Sequence, residues 1–103
     1  AIGNDFSFNE IFSRQIESIG KPGDIAIGIT TSGKSKNVIN ALKLAKKKKI
    51  TSVILTKEKY PKKKQIEKIC DFILGVPAEE TARIQELHIL VGHLMCAAID
   101  EIF

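Results

Sequence analysis

Three short apolar runs rich in β-branched side chains alternate along the chain with longer segments whose apolar residues recur every three or four positions. That alternation of a strand period with a helix period is the strongest constraint on the fold. Strands separated by helices connect through right-handed crossovers into a parallel sheet, so an α/β class is expected, with helices on both faces of the sheet as three layers. Phe8, Ile11, Phe12, Ile16 and Ile19 mark a first helix that Asp5 and Ser7 are placed to cap, and Gly20-Lys21-Pro22-Gly23 ends it. Asp24 to Ile29 reads as a strand covered on both faces. Val38, Ile39, Leu42, Leu44 and Ala45 form the next helix, which closes in Lys46 to Lys49, where cations suit the dipole. Ile50 to Leu55 is a second strand, a short helix follows around Ile66 and Ile69, and Asp71 to Val76 is a third strand stopped by Pro77. The longest helix runs from about Glu79 to Phe103.

At 103 residues the chain is one domain, 1–103, with enough length to bury a core. Three strands are few for a doubly wound sheet, and Ala1-Ile2-Gly3 reads as the tail of another. The expectation is therefore the C-terminal portion of a larger domain, lacking its N-terminal part. No long charge-free apolar run is present, and the N-terminus lacks the basic and apolar regions of a secretory signal, so no membrane association is expected. Cys70 and Cys96 stand 26 positions apart without a CxxC pair, which reads as two reduced core thiols in a cytoplasmic protein. Charge is uneven. Lys34 to Lys68 holds 13 lysines against Glu58 and Glu67, while the remainder holds three basic residues against ten acids. With one tyrosine, no tryptophan and only Arg14 and Arg83, the stacking and bidentate groups of nucleic-acid readers are scarce. The lysines read as a solvated face, and no nucleic acid is expected as a partner.

Gly28 to Ser35 fits the P-loop pattern GxxxxGK[ST] letter for letter, after a strand and before a helix. Three observations oppose a nucleotide site. Ile29, Thr30 and Thr31 are consecutive β-branched residues that favour extended backbone. The next strand ends in Thr56 and Lys57 rather than a magnesium-binding Asp. The strands are also too few. The alternative keeps the strand running through Ile29 and leaves Thr30, Thr31, Ser32 and Ser35 as hydroxyl donors beside the free amides of the following helix. Such a cradle suits a phosphate monoester, since a helix N-terminus favours an anion by roughly 0.5–2 kcal/mol. Each bond to a charged oxygen adds about 1.5–3 kcal/mol.

Within Leu87 to Ile99 only His88 and His93 are polar, so this helix is expected to be buried in the domain or at a subunit interface. Spacing leaves the partner of His93 open. Glu86, seven residues earlier, shares its face. Gln85, eight earlier, lies about 80° around and about 12 Å along the axis. Two ligands at most cannot close a zinc site.

Taken together, GNDFSFNEIFSRQIESIGKPGD, GITTSGKSKNV and TARIQELHILVGH resemble the phosphoheptose isomerases (sedoheptulose-7-phosphate isomerases) of the sugar isomerase (SIS) fold, over essentially the whole chain. The resemblance implies a flavodoxin-like SIS domain, a cytoplasmic zinc-dependent homotetramer and an aldose–ketose isomerisation of sedoheptulose 7-phosphate. It implies that Thr30, Thr31, Ser32 and Ser35 hold the sugar phosphate, that Asn4 and Asp5 bind substrate, and that Gln85 and His93 bind zinc. His93 is also the implied catalytic proton-transfer residue, and Gln85 lies at the substrate. The family's upstream histidine and glutamate ligands are absent from this sequence, so the chain alone is expected to hold half of the catalytic pair. Thr30 stands where serine is common and Lys34 where asparagine is common. A non-catalytic SIS module that binds phosphosugars, or that associates with a replication initiator, is the alternative.

Overall fold

A computed structural model of the chain describes residues 8–60 and 63–103. After a 3-10 turn at Phe8–Glu10 come helix α1 (Ile11–Ile19), strand β1 (Ile25–Ile29), helix α2 (Lys36–Lys47), strand β2 (Thr51–Lys57), helix α3 (Lys63–Ile69), strand β3 (Phe72–Val76) and helix α4 (Thr81–Ile102). The strands form one parallel sheet in the order β1-β2-β3. This is the α/β class that the alternation predicts. The expected capping residues Asp5 and Ser7, and the strand tail at Ala1-Ile2-Gly3, lie outside the described residues.

Each boundary has a local cause. Gly20 closes α1 by donating its amide to the Ile16 carbonyl at 2.8 Å, and a Cβ there would sit 2.6 Å from that same oxygen. Asp24 then accepts from the Lys21 amide at 2.9 Å, fixing the turn into β1. β2 runs two residues further than its apolar run suggests, because Thr56 and Lys57 pair with Gly75 and Val76 of β3. Part of the lysine block is spent on helix ends. Lys48 Nζ donates to the Ile16 and Glu17 carbonyls at the end of α1, and Lys46 Nζ to the Lys68 carbonyl at the end of α3. These cations satisfy carbonyls that a helix C-terminus leaves without partners.

The core gathers Val38, Ile39 and Leu42 of α2, Ile54 of β2, Ile66 of α3 and the loop residue Tyr60. Full burial of each such side chain contributes about 1.5–3 kcal/mol. Only one face of β1 is covered among the described residues. Ile25 and Ile29 remain 66% and 58% exposed, so the expected cover on both faces is not met. In α4 only Ile84 and His88 are buried among the described residues, and Leu90, Leu94 and Ile99 stand exposed. Cys70 is half-buried and Cys96 exposed, so only the first resembles a core thiol.

The Tyr60 ring is buried, and its hydroxyl has no hydrogen-bond partner among the described residues. Burial pushes its pKa above the usual value, with the charges of Glu67 and Cys70 adding to the rise. The folded state therefore prefers the neutral phenol. That preference stabilises the fold below pH ~10 and is lost as pH rises through the folded value. Tyr60→Phe removes an unsatisfied hydroxyl, so it is expected to leave neutral-pH stability within about 1 kcal/mol of the parent or above it. It is also expected to flatten the alkaline decline, read by chemical denaturation at a series of pH values.

Candidate functional site

All three strands run parallel, so their C-terminal ends and the loops that follow share one edge, the edge at which open parallel sheets bind ligands. The β1–α2 loop there is held by a set of internal hydrogen bonds. The Thr30 amide donates to the Leu55 carbonyl at 3.0 Å, carrying the sheet bonding one step past β1. The Thr30 side chain turns inward, where its Oγ1 lies 2.7 Å from Ser35 Oγ and accepts from the Gly33 amide at 3.2 Å. Ser32 Oγ accepts from the Lys34 amide at 3.0 Å. Gly33 is buried with φ +71, and the Tyr60 ring lies directly against it. The hydroxyls thus brace a crook in the chain, with Thr31, Ser32 and Ser35 half-buried at its surface.

Ser35 occupies the N-cap position of α2 but makes no side-chain bond to the helix amides, because its hydroxyl is engaged by Thr30. The Lys36 and Asn37 amides have no intrahelical partner. The first turn of α2 holds no acidic residue, and Lys34 and Lys36 flank it instead. Cations at the positive end of a helix oppose its dipole, and an anion seated there reverses that cost. Gly28 lies within β1, and a Cβ on it would come 2.7 Å from Val38 Cγ1. It is a packing glycine facing α2, so the backbone does not form a phosphate-wrapping P-loop from Gly28.

The second cluster lies on α4. Gln85 and His93 are both exposed, and neither has a hydrogen-bond partner among the described residues. Glu86, the other residue at a matching spacing, has its carboxylate 3.0 Å from Arg83. No group of three or more His, Cys, Asp or Glu placed to hold a metal occurs among the described residues. His88, in contrast, is 6% exposed, and its Nε2 donates to the Thr56 carbonyl at 2.9 Å while Nδ1 has no partner among the described residues. Thr56, Tyr60 and His88 are residues near the site that sequence reasoning did not single out as partners. The four-residue step from Ile84 to His88 is the signal that places this imidazole on the inward stripe. Asn4 and Asp5 lie outside the described residues.

Two cavities accompany these features. A groove of about 520 Å³ runs between α1, α2 and β1, lined by Phe12, Ile16, Ile19, Ile25 and Leu42. Its lining suits protein packing rather than a sugar phosphate. A smaller cleft of about 240 Å³ lies between Glu58, Lys59 and Pro77 to Glu79, on the same sheet edge as the hydroxyl loop.

Comparison with known proteins agrees with this geometry. Residues 6–101 match the SIS domain model. A phosphoheptose isomerase of Sulfurimonas denitrificans is 52% identical over all of this chain and 52% of its own length. Phosphoheptose isomerase 1 of Campylobacter jejuni is 48% identical over all of this chain and 54% of its length. Among solved structures, phosphoheptose isomerase from Neisseria gonorrhoeae superposes with a TM-score of 0.87 at 45% identity, covering 95% of this chain and 54% of that one. The enzyme from Francisella tularensis gives 0.89 at 34% identity, covering 97% and 52%. The chain thus spans about half the length of the relatives it matches. A parallel sheet, a hydroxyl crook at a helix N-terminus and a family match over nearly every residue lead to one conclusion: the chain belongs to the SIS domain family.

Proposed function

We propose that this chain is the C-terminal part of a phosphoheptose isomerase, which interconverts sedoheptulose 7-phosphate and D-glycero-D-manno-heptose 7-phosphate on the route to ADP-heptose and lipopolysaccharide. The observation that carries the reading is the braced hydroxyl crook at the open N-terminus of α2, in a chain matched end to end by phosphoheptose isomerases. Thr31, Ser32 and Ser35 with the first amides of α2 bind the phosphate, and Thr30 holds the crook in shape. The phosphate is a remote handle whose binding positions the reacting carbons. Asn4 and Asp5 contribute to substrate binding, and Gln85 lies at the substrate.

In the reaction a proton leaves C1 of the ketose, an enediol forms, and a proton arrives at C2 to give the aldose. His93 is the candidate acid–base residue that moves this proton. Its imidazole nitrogen and the Gln85 amide oxygen, unengaged among the described residues, are of types that suit zinc, and they would supply two of its ligands, with the others contributed from outside this chain. The Arg83 contact of Glu86 favours Gln85 as the partner of His93. When bound, zinc would stabilise negative charge developing on the substrate oxygens. The exposed apolar residues of β1 and α4 support assembly into a homotetramer. A phosphorylated sugar substrate and two free cysteines support a cytoplasmic location. No helix among the described residues is long and apolar enough to cross a membrane.

The test is turnover of sedoheptulose 7-phosphate by the full-length polypeptide. Activity is expected to fall at least about tenfold on chelation and to return with zinc. Binding of the sugar phosphate without turnover would instead favour the non-catalytic module.

A further inference from the structure

α4 carries both proposed zinc ligands, yet little fixes it to the sheet. Its main contacts among the described residues are with β2 and β3, and Ile84 and His88 are its only buried residues among those described. Ile84 supplies apolar contact, which resists separation but not rotation or sliding. The polar tie among the described residues is the hydrogen bond from His88 Nε2 to the Thr56 carbonyl, 2.9 Å long and buried. That carbonyl lies at the C-terminal end of β2, one residue past Leu55, whose own carbonyl receives the Thr30 amide of the hydroxyl crook.

Helical geometry shows what this bond controls. Relative to His88, Gln85 lies about 60° and His93 about 140° around the axis in the same rotational sense. Any turn of α4 about its axis therefore carries both side chains together relative to the crook. A rotation of about 15° moves a side-chain tip at the helix rim by about 1.5 Å. A misplacement of about 1 Å can lower a rate about a hundredfold.

We propose that His88 is a positioning residue: its hydrogen bond to the Thr56 carbonyl sets the rotation and height of α4, and so places Gln85 and His93 against the phosphate crook. The proposal rests on the isomerase reading for the roles of Gln85 and His93. The bond requires the proton on Nε2, because a carbonyl only accepts, and this leaves Nδ1 bare in a buried site where it has no partner among the described residues.

The test uses the full-length polypeptide with His88→Phe, which keeps a ring of similar volume without the donor, and His88→Gln, whose amide N–H reaches a similar distance. Zinc affinity is measured by chelator competition, and kcat and KM on sedoheptulose 7-phosphate. His88→Phe is expected to lower zinc affinity and kcat by about 10- to 100-fold with a much smaller rise in KM, because the crook that anchors the phosphate is untouched. His88→Gln is expected to restore most of both. If His88→Phe fails to fold, the same quantities are read on His88→Asn, whose amide falls short of the carbonyl. A lower melting temperature with unchanged kcat and zinc affinity overturns the proposal, as does a parallel rise in KM or a His88→Gln variant no better than Phe. A parent protein that neither turns over the sugar nor binds zinc defeats the isomerase reading itself, and the proposal with it.

Discussion

Replacing His93 with glutamine in the full-length polypeptide is expected to lower turnover of sedoheptulose 7-phosphate by about 10²–10⁴-fold, the usual contribution of a positioned acid–base group. Imidazole suits proton shuttling at neutral pH, whereas a carboxamide neither accepts nor releases a proton there. The structure makes the experiment clean. His93 is exposed and makes no hydrogen bond among the described residues, so stability is expected to change by no more than about 0.5 kcal/mol. Binding of the sugar phosphate, held by the crook, should persist. Steady-state kinetics, thermal unfolding and calorimetric binding read the three quantities separately. A variant that turns over at the parent rate removes His93 from the chemistry, and one that melts far below the parent shows the residue to be structural instead.

The contrast between the two histidines shows how far a sequence carries. Both sit in the same apolar stretch, and the four-residue step from Ile84 sets His88 apart without naming its partner. The structure turns His88 inward to a carbonyl 32 positions earlier and leaves His93 outside. Such a pairing depends on where α4 lands on the sheet, which no local pattern encodes. Strands and helices were legible because periodicity and punctuation are local, as at Gly20 and Pro77. The extra two residues of β2 were not, since their strand character comes from pairing with Gly75 and Val76. Apolar content in β1 and α4 raises the expectation of cover. It does not say which body supplies that cover, and within this chain Ile25, Ile29 and Leu94 have none among the described residues. The hydroxyl cluster was visible as composition, but the division of labour inside it was not. Thr30 and Ser35 bond to one another, so fewer of the four hydroxyls face outward than their number suggests.

Gly33→Ala is expected to damage both the fold and the phosphate site, for two separable reasons. Gly33 holds φ at +71, a left-handed conformation that costs an L side chain roughly 1–2 kcal/mol. Its missing Cβ would also lie 2.6–2.9 Å from Cδ2, Cγ and Cβ of Tyr60, closer than atoms can pack. Tyr60 belongs to the central cluster with Leu42, Ile54 and Ile66, so its ring cannot move aside without disturbing the core. Overpacking of this kind adds about 1–3 kcal/mol. A total loss of about 2–5 kcal/mol is therefore expected in denaturant unfolding, a large part of the stability of a small domain. The crook suffers as well, because the Gly33 amide that donates to Thr30 Oγ1 must shift. Affinity for the sugar phosphate is expected to fall at least about tenfold, the equivalent of one lost bond to a charged oxygen. Combining Gly33→Ala with Tyr60→Leu separates the causes. The smaller side chain relieves the collision but not the backbone strain, so the double variant should cost less than the sum of the two single changes by about 1–3 kcal/mol. Strict additivity would show that the Tyr60 ring does not confine the loop, and a Gly33→Ala protein that melts with its parent would show that the crook does not need a left-handed residue at all.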